Sequence, residues 1–135
     1  MRRAISLVIC VVIAISALSI NVFASSKITP RYNNVSNTNT YFDIDSSGNA
    51  KVIASFGGDR SAITSATVKI KIQKRFLLVF WNNVIEWTDE TTENNYTVVH
   101  STNVGSGTYR ATVEYTIYGT GGEPDVIKDE IQRTH

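Results

Sequence analysis

The sequence has 135 residues, 42% of them hydrophobic and 19% charged, with 13 Lys and Arg against 12 Asp and Glu and a formal net charge of +1. That length holds one domain, and a charge so near balance leaves no electrostatic footprint for nucleic acid or an anionic lipid surface. One cysteine excludes a disulfide framework, and two histidines with no cysteine beside them leave little from which to build a zinc centre.

In chain order, Arg2 and Arg3 form a positive start, residues 4–20 an almost unbroken apolar run, and Val22-Phe23-Ala24 a small-x-small cleavage site before Ser25. Residues 1–24 therefore read as a secretory signal peptide, helical through its apolar part. The competing reading, a retained membrane anchor, needs about 20 apolar residues; the run is slightly shorter and ends in the cleavage signal. Cys10 does not suit a lipid-attachment site, because bulky Ile9 precedes it and little apolar sequence lies ahead of it. Cleavage removes Cys10, Arg2 and Arg3, takes the net charge from +1 to about −1 and leaves no membrane span. A mature chain of this size buries roughly 65% of its unfolded surface, enough for a core without covalent staples.

Residues 25–40, rich in Ser, Asn and Thr around Pro30, read as a polar lead-in with an edge strand near residues 31–35. The main domain, residues 41–135, is expected to begin regular structure at Tyr41. Residues 41–45 put Phe42 and Ile44 on one face, and Ser46-Ser47-Gly48-Asn49 turns the chain. Residues 50–56 follow with Ala50, Val52, Ala54 and Phe56 inward, until Gly57-Gly58-Asp59 breaks the strand. Residues 66–74 alternate Ala66, Val68, Ile70 and Ile72 with Thr67, Lys69, Lys71 and Gln73, the period of a strand with one dry face. Residues 109–118 repeat the pattern with Tyr109, Ala111, Val113, Tyr115 and Ile117 inward. Shorter strands are expected at residues 84–88, 96–101 and 125–131, and residues 89–95 read as an acidic loop. About seven strands with turns between them, and no helical periodicity, predict an all-β, seven-stranded Greek-key sandwich of the immunoglobulin or fibronectin III kind, with a small β-barrel as the alternative.

Between the two long strands lies Phe76, Leu77, Leu78, Val79, Phe80 and Trp81, apolar at every position. It reads either as a strand running on, buried on both faces or bent at a bulge, or as a hairpin tip that offers an apolar surface to a partner. On the second reading Phe76, Leu77, Leu78, Phe80 and Trp81 are the candidate binding residues. Trp81 and Trp87 are six apart, so an unbroken strand would turn both to one side. Trp87 suits the core; Trp81, with Phe80 and Tyr118, suits a platform for sugar rings or a protein.

Other chemistry is thinner. Asp43-x-Asp45-x-Ser47-Gly48 matches the first half of an EF-hand loop, but position twelve is Ala54 and helices do not flank it, so a hairpin turn is the better reading. Asp89, Glu90 and Glu93 read as a solvated cluster, with a looser cation site as the alternative. His100 suits a surface or strand-end role, since a nucleophilic triad needs partners the chain does not offer nearby. A glycosidase needs two carboxylates about 5–10 Å apart across a cleft; Asp43 with Asp45, or Glu86 with Glu114, are the pairs available. Neither a cofactor nor catalysis is expected.

Gly107-Thr108-Tyr109-Arg110-Ala111 resembles the G-x-Y-x-C run of an immunoglobulin F strand, with Tyr109 at the tyrosine-corner position and Ala111 where a cysteine would stand. The mature segment also resembles small secreted proteins of Gram-positive, Clostridia-like bacteria that have no assigned activity. The likeness lies in residues 28–32 (Ile-Thr-Pro-Arg-Tyr), Ser47-Gly48-Asn49-Ala50, Ile72-Gln73-Lys74, the spaced Trp81, Val84 and Trp87, and residues 107–113. The departure is residues 76–80, where such proteins carry a polar, Gly- and Ser-rich turn. The resemblance implies a β-sandwich outside a bacterial cell and implies no catalytic residues. The expectation is a non-catalytic extracellular module for a cell-surface glycan or protein, acting through the hairpin at residues 76–81 and the neighbouring wet sheet face of Lys69, Lys71 and Gln73. The alternatives are a small secreted hydrolase or inhibitor working through residues 89–95, and an envelope or matrix component self-associating through strand edges.

Overall fold

The computed structural model describes residues 32–58 and 63–135. The signal segment with Cys10, the first part of the lead-in and Asp59 lie outside the described residues. Seven strands run along them: β1 Val35–Ile44, β2 Asn49–Gly58, β3 Ile63–Phe76, β4 Phe80–Thr91, β5 Asn95–Asn103, β6 Thr108–Gly119 and β7 Gly122–Thr134, with no helix among the described residues. All neighbours pair antiparallel, in two sheets ordered β1-β2-β5 and β4-β3-β6-β7. The sheets touch at two seams, β1 against β7 and β4 against β5, without a ladder across either. The fold is therefore a β-sandwich and not a closed barrel.

Period-two alternation explains the core. On β3, Ala66, Val68, Ile70 and Ile72 are 2% exposed or less, and on β6 Tyr109, Ala111, Val113, Tyr115 and Ile117 are the same. Ile70 pairs with Val113 and Val68 with Tyr115, so the two long apolar rows lie side by side in one sheet. Ala50, Val52, Ala54 and Phe56 of β2 and Phe42 of β1 supply the facing layer of the same cluster. Burying each large side chain contributes about 1.5–3 kcal/mol, enough to stabilise the sandwich without cross-links.

The lead-in differs from expectation: β1 begins at Val35, six residues before Tyr41. Asp125 explains the early start. Its carboxylate, 5% exposed, accepts the backbone N–H groups of Asn33 (2.8 Å), Asn34 (2.7 Å) and Val35 (3.0 Å). Asn34 completes the clamp, donating to Glu123 O and accepting from the N–H of Gly121 at 2.9 Å. A side chain at Gly121 would collide with the Asn33 carbonyl, so the approach requires glycine. No periodicity in residues 33–35 could announce a partner some ninety positions away.

The acidic stretch also moves. Pairing continues to Ala66↔Thr91, so Asp89 and Glu90 belong to β4 and the turn shrinks to residues 92–94. The length of β3 sets this: its 14 residues give β4 a template well beyond Val84, Ile85 and Trp87.

Candidate interaction surface

The β3–β4 hairpin ends in an apolar tip. Phe76 and Phe80 form the last cross-strand pair. Exposure along the segment is 53% at Phe76, 68% at Leu77, 84% at Leu78, 70% at Val79 and 60% at Phe80. Of the two sequence readings, the hairpin tip is the one that forms; a strand buried on both faces does not. Alternation fails to bury these residues because both faces of the ribbon meet solvent there.

The turn is strained. Leu77 has φ of 47° and Leu78 of 67°, a region that residues with a Cβ seldom occupy. The N–H of Val79 donates to Leu77 O at 2.8 Å and closes a tight turn around Leu78. Asn or Gly would adopt this backbone at lower cost, as in most tight hairpins. Two leucines there place the largest apolar area at the point of greatest exposure.

Trp81 stands just behind the tip, paired with Arg75 across the hairpin. The Arg75 and Arg110 guanidiniums lie 5.1 and 4.4 Å from its ring centroid, in cation–π range. Arg75 also donates to Gln132 at 3.1 Å, and Arg110 to Gln73 at 2.7 Å and to Glu130 at 3.3 Å. Lys74, on the other face, lies 5.5 Å from the Tyr109 ring centroid. Behind the apolar tip there is thus a basic collar of Lys74, Arg75 and Arg110. The collar residues escaped the sequence reading; for Lys74 and Arg75 the signal was the run Lys69-x-Lys71-x-x-Lys74-Arg75 immediately before the apolar segment.

Trp81 and Trp87 do not share a face. Ile72 pairs with Ile85 but Gln73 with Asn83, leaving Val84 as an extra residue, a β-bulge. That extra residue reverses the parity of β4. Trp87, opposite Ile70, points inward and packs against the core; Trp81, opposite Arg75, points outward. Tyr118, on β6, pairs with Ser65 near the far end of β3, so it does not join Trp81 in a platform.

The remaining polar groups have local tasks. Trp87 stacks on His100 at 4.7 Å and 8°, and His100 Nε2 meets Asp89 Oδ2 at 2.7 Å, which ties β4 to β5 along their seam. Asp45 accepts from Ser47 N, Ser47 Oγ and Asn49 N, the bonds of a hairpin turn. Those bonds hold the Asp45 carboxyl below the usual carboxylate range, the Ser47 hydroxyl contributing most. Glu86 and Glu114 lie on the outer face on opposite sides of β3, Glu86 bound to Lys71 at 3.0 Å and Glu114 paired across to Lys69 and Lys128. Between them the sheet carries a shallow depression of about 320 Å³ whose floor includes Lys69, Lys71, Thr112 and Glu114. Mixed charges that satisfy one another are what a solvated sheet face looks like.

No protein-family model matches the chain, and no curated protein sequence matches it. Among solved structures, it is similar to a protein from Archaeoglobus fulgidus at 11% identity, with 75% of this chain and 97% of that one covered and a TM-score of 0.32. A likeness at that score bears on neither fold nor function.

Proposed function

We propose that the chain is an exported, non-catalytic binding module of a bacterial surface or surroundings, acting through the β3–β4 tip. The observation that carries this reading is the unbroken exposure of Phe76, Leu77, Leu78, Val79 and Phe80. Contiguous apolar patches on soluble proteins mark contact sites, and strain of about 1–3 kcal/mol per unusual residue persists where it serves a function. Export is supported by the signal-like segment at residues 1–24. The finer fold assignment, immunoglobulin- or fibronectin-like, is supported by the strand order and by the Tyr109 hydroxyl, which donates to Gly105 O at 2.8 Å in the manner of a tyrosine corner.

Panels of cell-wall polysaccharides, glycans and surface proteins test the reading, with the double variant Leu77→Ser, Leu78→Ser beside the parent chain. Retention lost in the variant, with its thermal midpoint preserved, is the expected result. An unchanged profile counts against the tip. Trp81→Ala is the weaker probe, since Trp81 is half-buried beneath two guanidiniums.

A further inference from the structure

We infer that the partner of the β3–β4 tip is an anionic lipid surface, into which Leu77, Leu78 and Val79 insert while Lys74 and Arg75 meet the headgroups. The inference rests on the tip being a contact surface and goes further by naming what it contacts.

Three features point to lipid and not to a structured protein pocket. The first is shape. A three-residue apolar loop at the end of a ribbon is a wedge, and a wedge needs a fluid receiving surface. Leu77, Leu78 and Val79 all lie beyond the Phe76–Phe80 pair, so the part of the molecule that would meet the headgroup and acyl boundary is apolar throughout. The second is the layering of chemistry. Behind the apolar tip comes the Arg75–Trp81 pair, cationic and amphipathic, at the level where Trp and basic side chains anchor proteins to bilayers.

The third is charge. The chain as a whole is nearly neutral, but its signs are unevenly placed. From residue 63 to residue 85 it carries Lys69, Lys71, Lys74 and Arg75 and no Asp or Glu. Among the described residues neither Lys74 nor Arg75 forms an ion pair with a carboxylate. Of the carboxylates at the same end of the sandwich, Glu130 of the same sheet is taken up by Arg110, and Asp43 and Asp45 belong to the facing sheet. Asp43 is 3.9 Å from Arg133, and Asp45 is held by its own turn. Near-neutrality of the whole chain therefore does not exclude a local anionic partner.

The chain contains two tryptophans, so Trp87→Phe leaves Trp81 as the single reporter behind the tip. The apolar N-terminal segment has no tryptophan and adds no emission of its own, and the leucine variants separate its contribution to vesicle binding from that of the tip. With vesicles of phosphatidylcholine and phosphatidylglycerol, Trp81 emission should shift to the blue and be quenched by lipids brominated near the headgroup. The apparent affinity should fall about tenfold for each of Leu77→Ser and Leu78→Ser and about fivefold for each of Lys74→Ala and Arg75→Ala. Far-UV dichroism identical to the parent shows that the variants remain folded.

No spectral response to any vesicle overturns the inference, as does a response that survives both leucine substitutions or is equal with phosphatidylcholine alone. Concentration-dependent self-association abolished by the leucine changes, without a vesicle response, overturns it in favour of a second copy of the chain. Tip-dependent retention on the glycan or protein panels, again without a vesicle response, also overturns it but leaves the tip a binding surface. Silence in every assay removes both.

Discussion

The body of β3 and the hairpin tip at its end both carry apolar rows and have opposite fates. From Ala66 to Ile72 every second residue is buried against β6 and the facing sheet; from Phe76 onward nothing covers the chain and consecutive apolar side chains stand in water. The same backbone ladder runs through both, since Arg75↔Trp81 and Phe76↔Phe80 continue the pairing. Burial therefore depends on a second layer and not on strand formation. A hydrophobic residue beyond the edge of that layer is free to serve contact instead of stability.

The contrast can be broken by substitution, the largest effect first. Ile70→Ala should cost about 3–4 kcal/mol in urea unfolding, lost transfer energy plus a cavity, whereas Leu78→Ala should stay within about 0.5 kcal/mol of the parent. Equal costs at the two sites would mean that the tip is packed and that the contrast is wrong. Asp125→Ala should follow at about 3 kcal/mol, because three backbone N–H groups lose their acceptor. Amide exchange at Asn33 to Val35 should accelerate in that variant before any global change.

Tyr115 sharpens the buried side of the comparison. Its hydroxyl lies 2.7 Å from Thr40 Oγ1 and donates to Asn39 O at 3.1 Å, while Thr40 donates to Asp129 at 2.7 Å. Tyr115→Phe should cost about 1 kcal/mol near neutral pH. Burial, chiefly, raises the Tyr115 hydroxyl above its ordinary 10.0. A raised folded value means that this stabilisation is complete below about pH 10 and fades as pH climbs through the folded value. Alkaline titration of stability should therefore fall less steeply in the Phe variant; parallel curves would show that Tyr115 is not the group responsible.

The smallest effect belongs to the tip itself. Leu78→Gly should raise stability by about 0.5 kcal/mol, relief of the left-handed backbone exceeding the added chain entropy. A loss similar to that of a glycine inside a strand would show that the turn is relaxed. In the expected case the more stable protein is the poorer binder, because the same change removes the most exposed apolar side chain.

The core was legible because β2, β3 and β6 alternate cleanly wherever a partner layer covers their dry faces. The Ala50, Val52, Ala54 and Phe56 row and the turn at Gly48, where φ is +81°, follow from local chemistry alone. What stayed hidden depends on distant partners. Asp125 and Asn33 lie 92 positions apart, and the β4–β5 stack of Trp87 on His100 with its Asp89 partner needs strands from both sheets to be in place. The apolar segment was visible as an anomaly, but its exposure turned on where the covering sheet stops. The extent of β4 was set by pairing with β3 and could not be read from residues 84–88.

Val84 has the effect of a frameshift written in space. Counting from one end, odd and even positions exchange their meanings at that residue, so a single surplus amino acid turns one indole into the interior and the other into the open. Deleting Val84 would close the ladder without a bulge and still leave Trp81 opposite Arg75 and Trp87 opposite Ile70; flattening the bulge with Val84 retained is what would bring both indoles to one side. The strand thus absorbs one extra amino acid while the contact end and the packed layers beneath keep their separate faces.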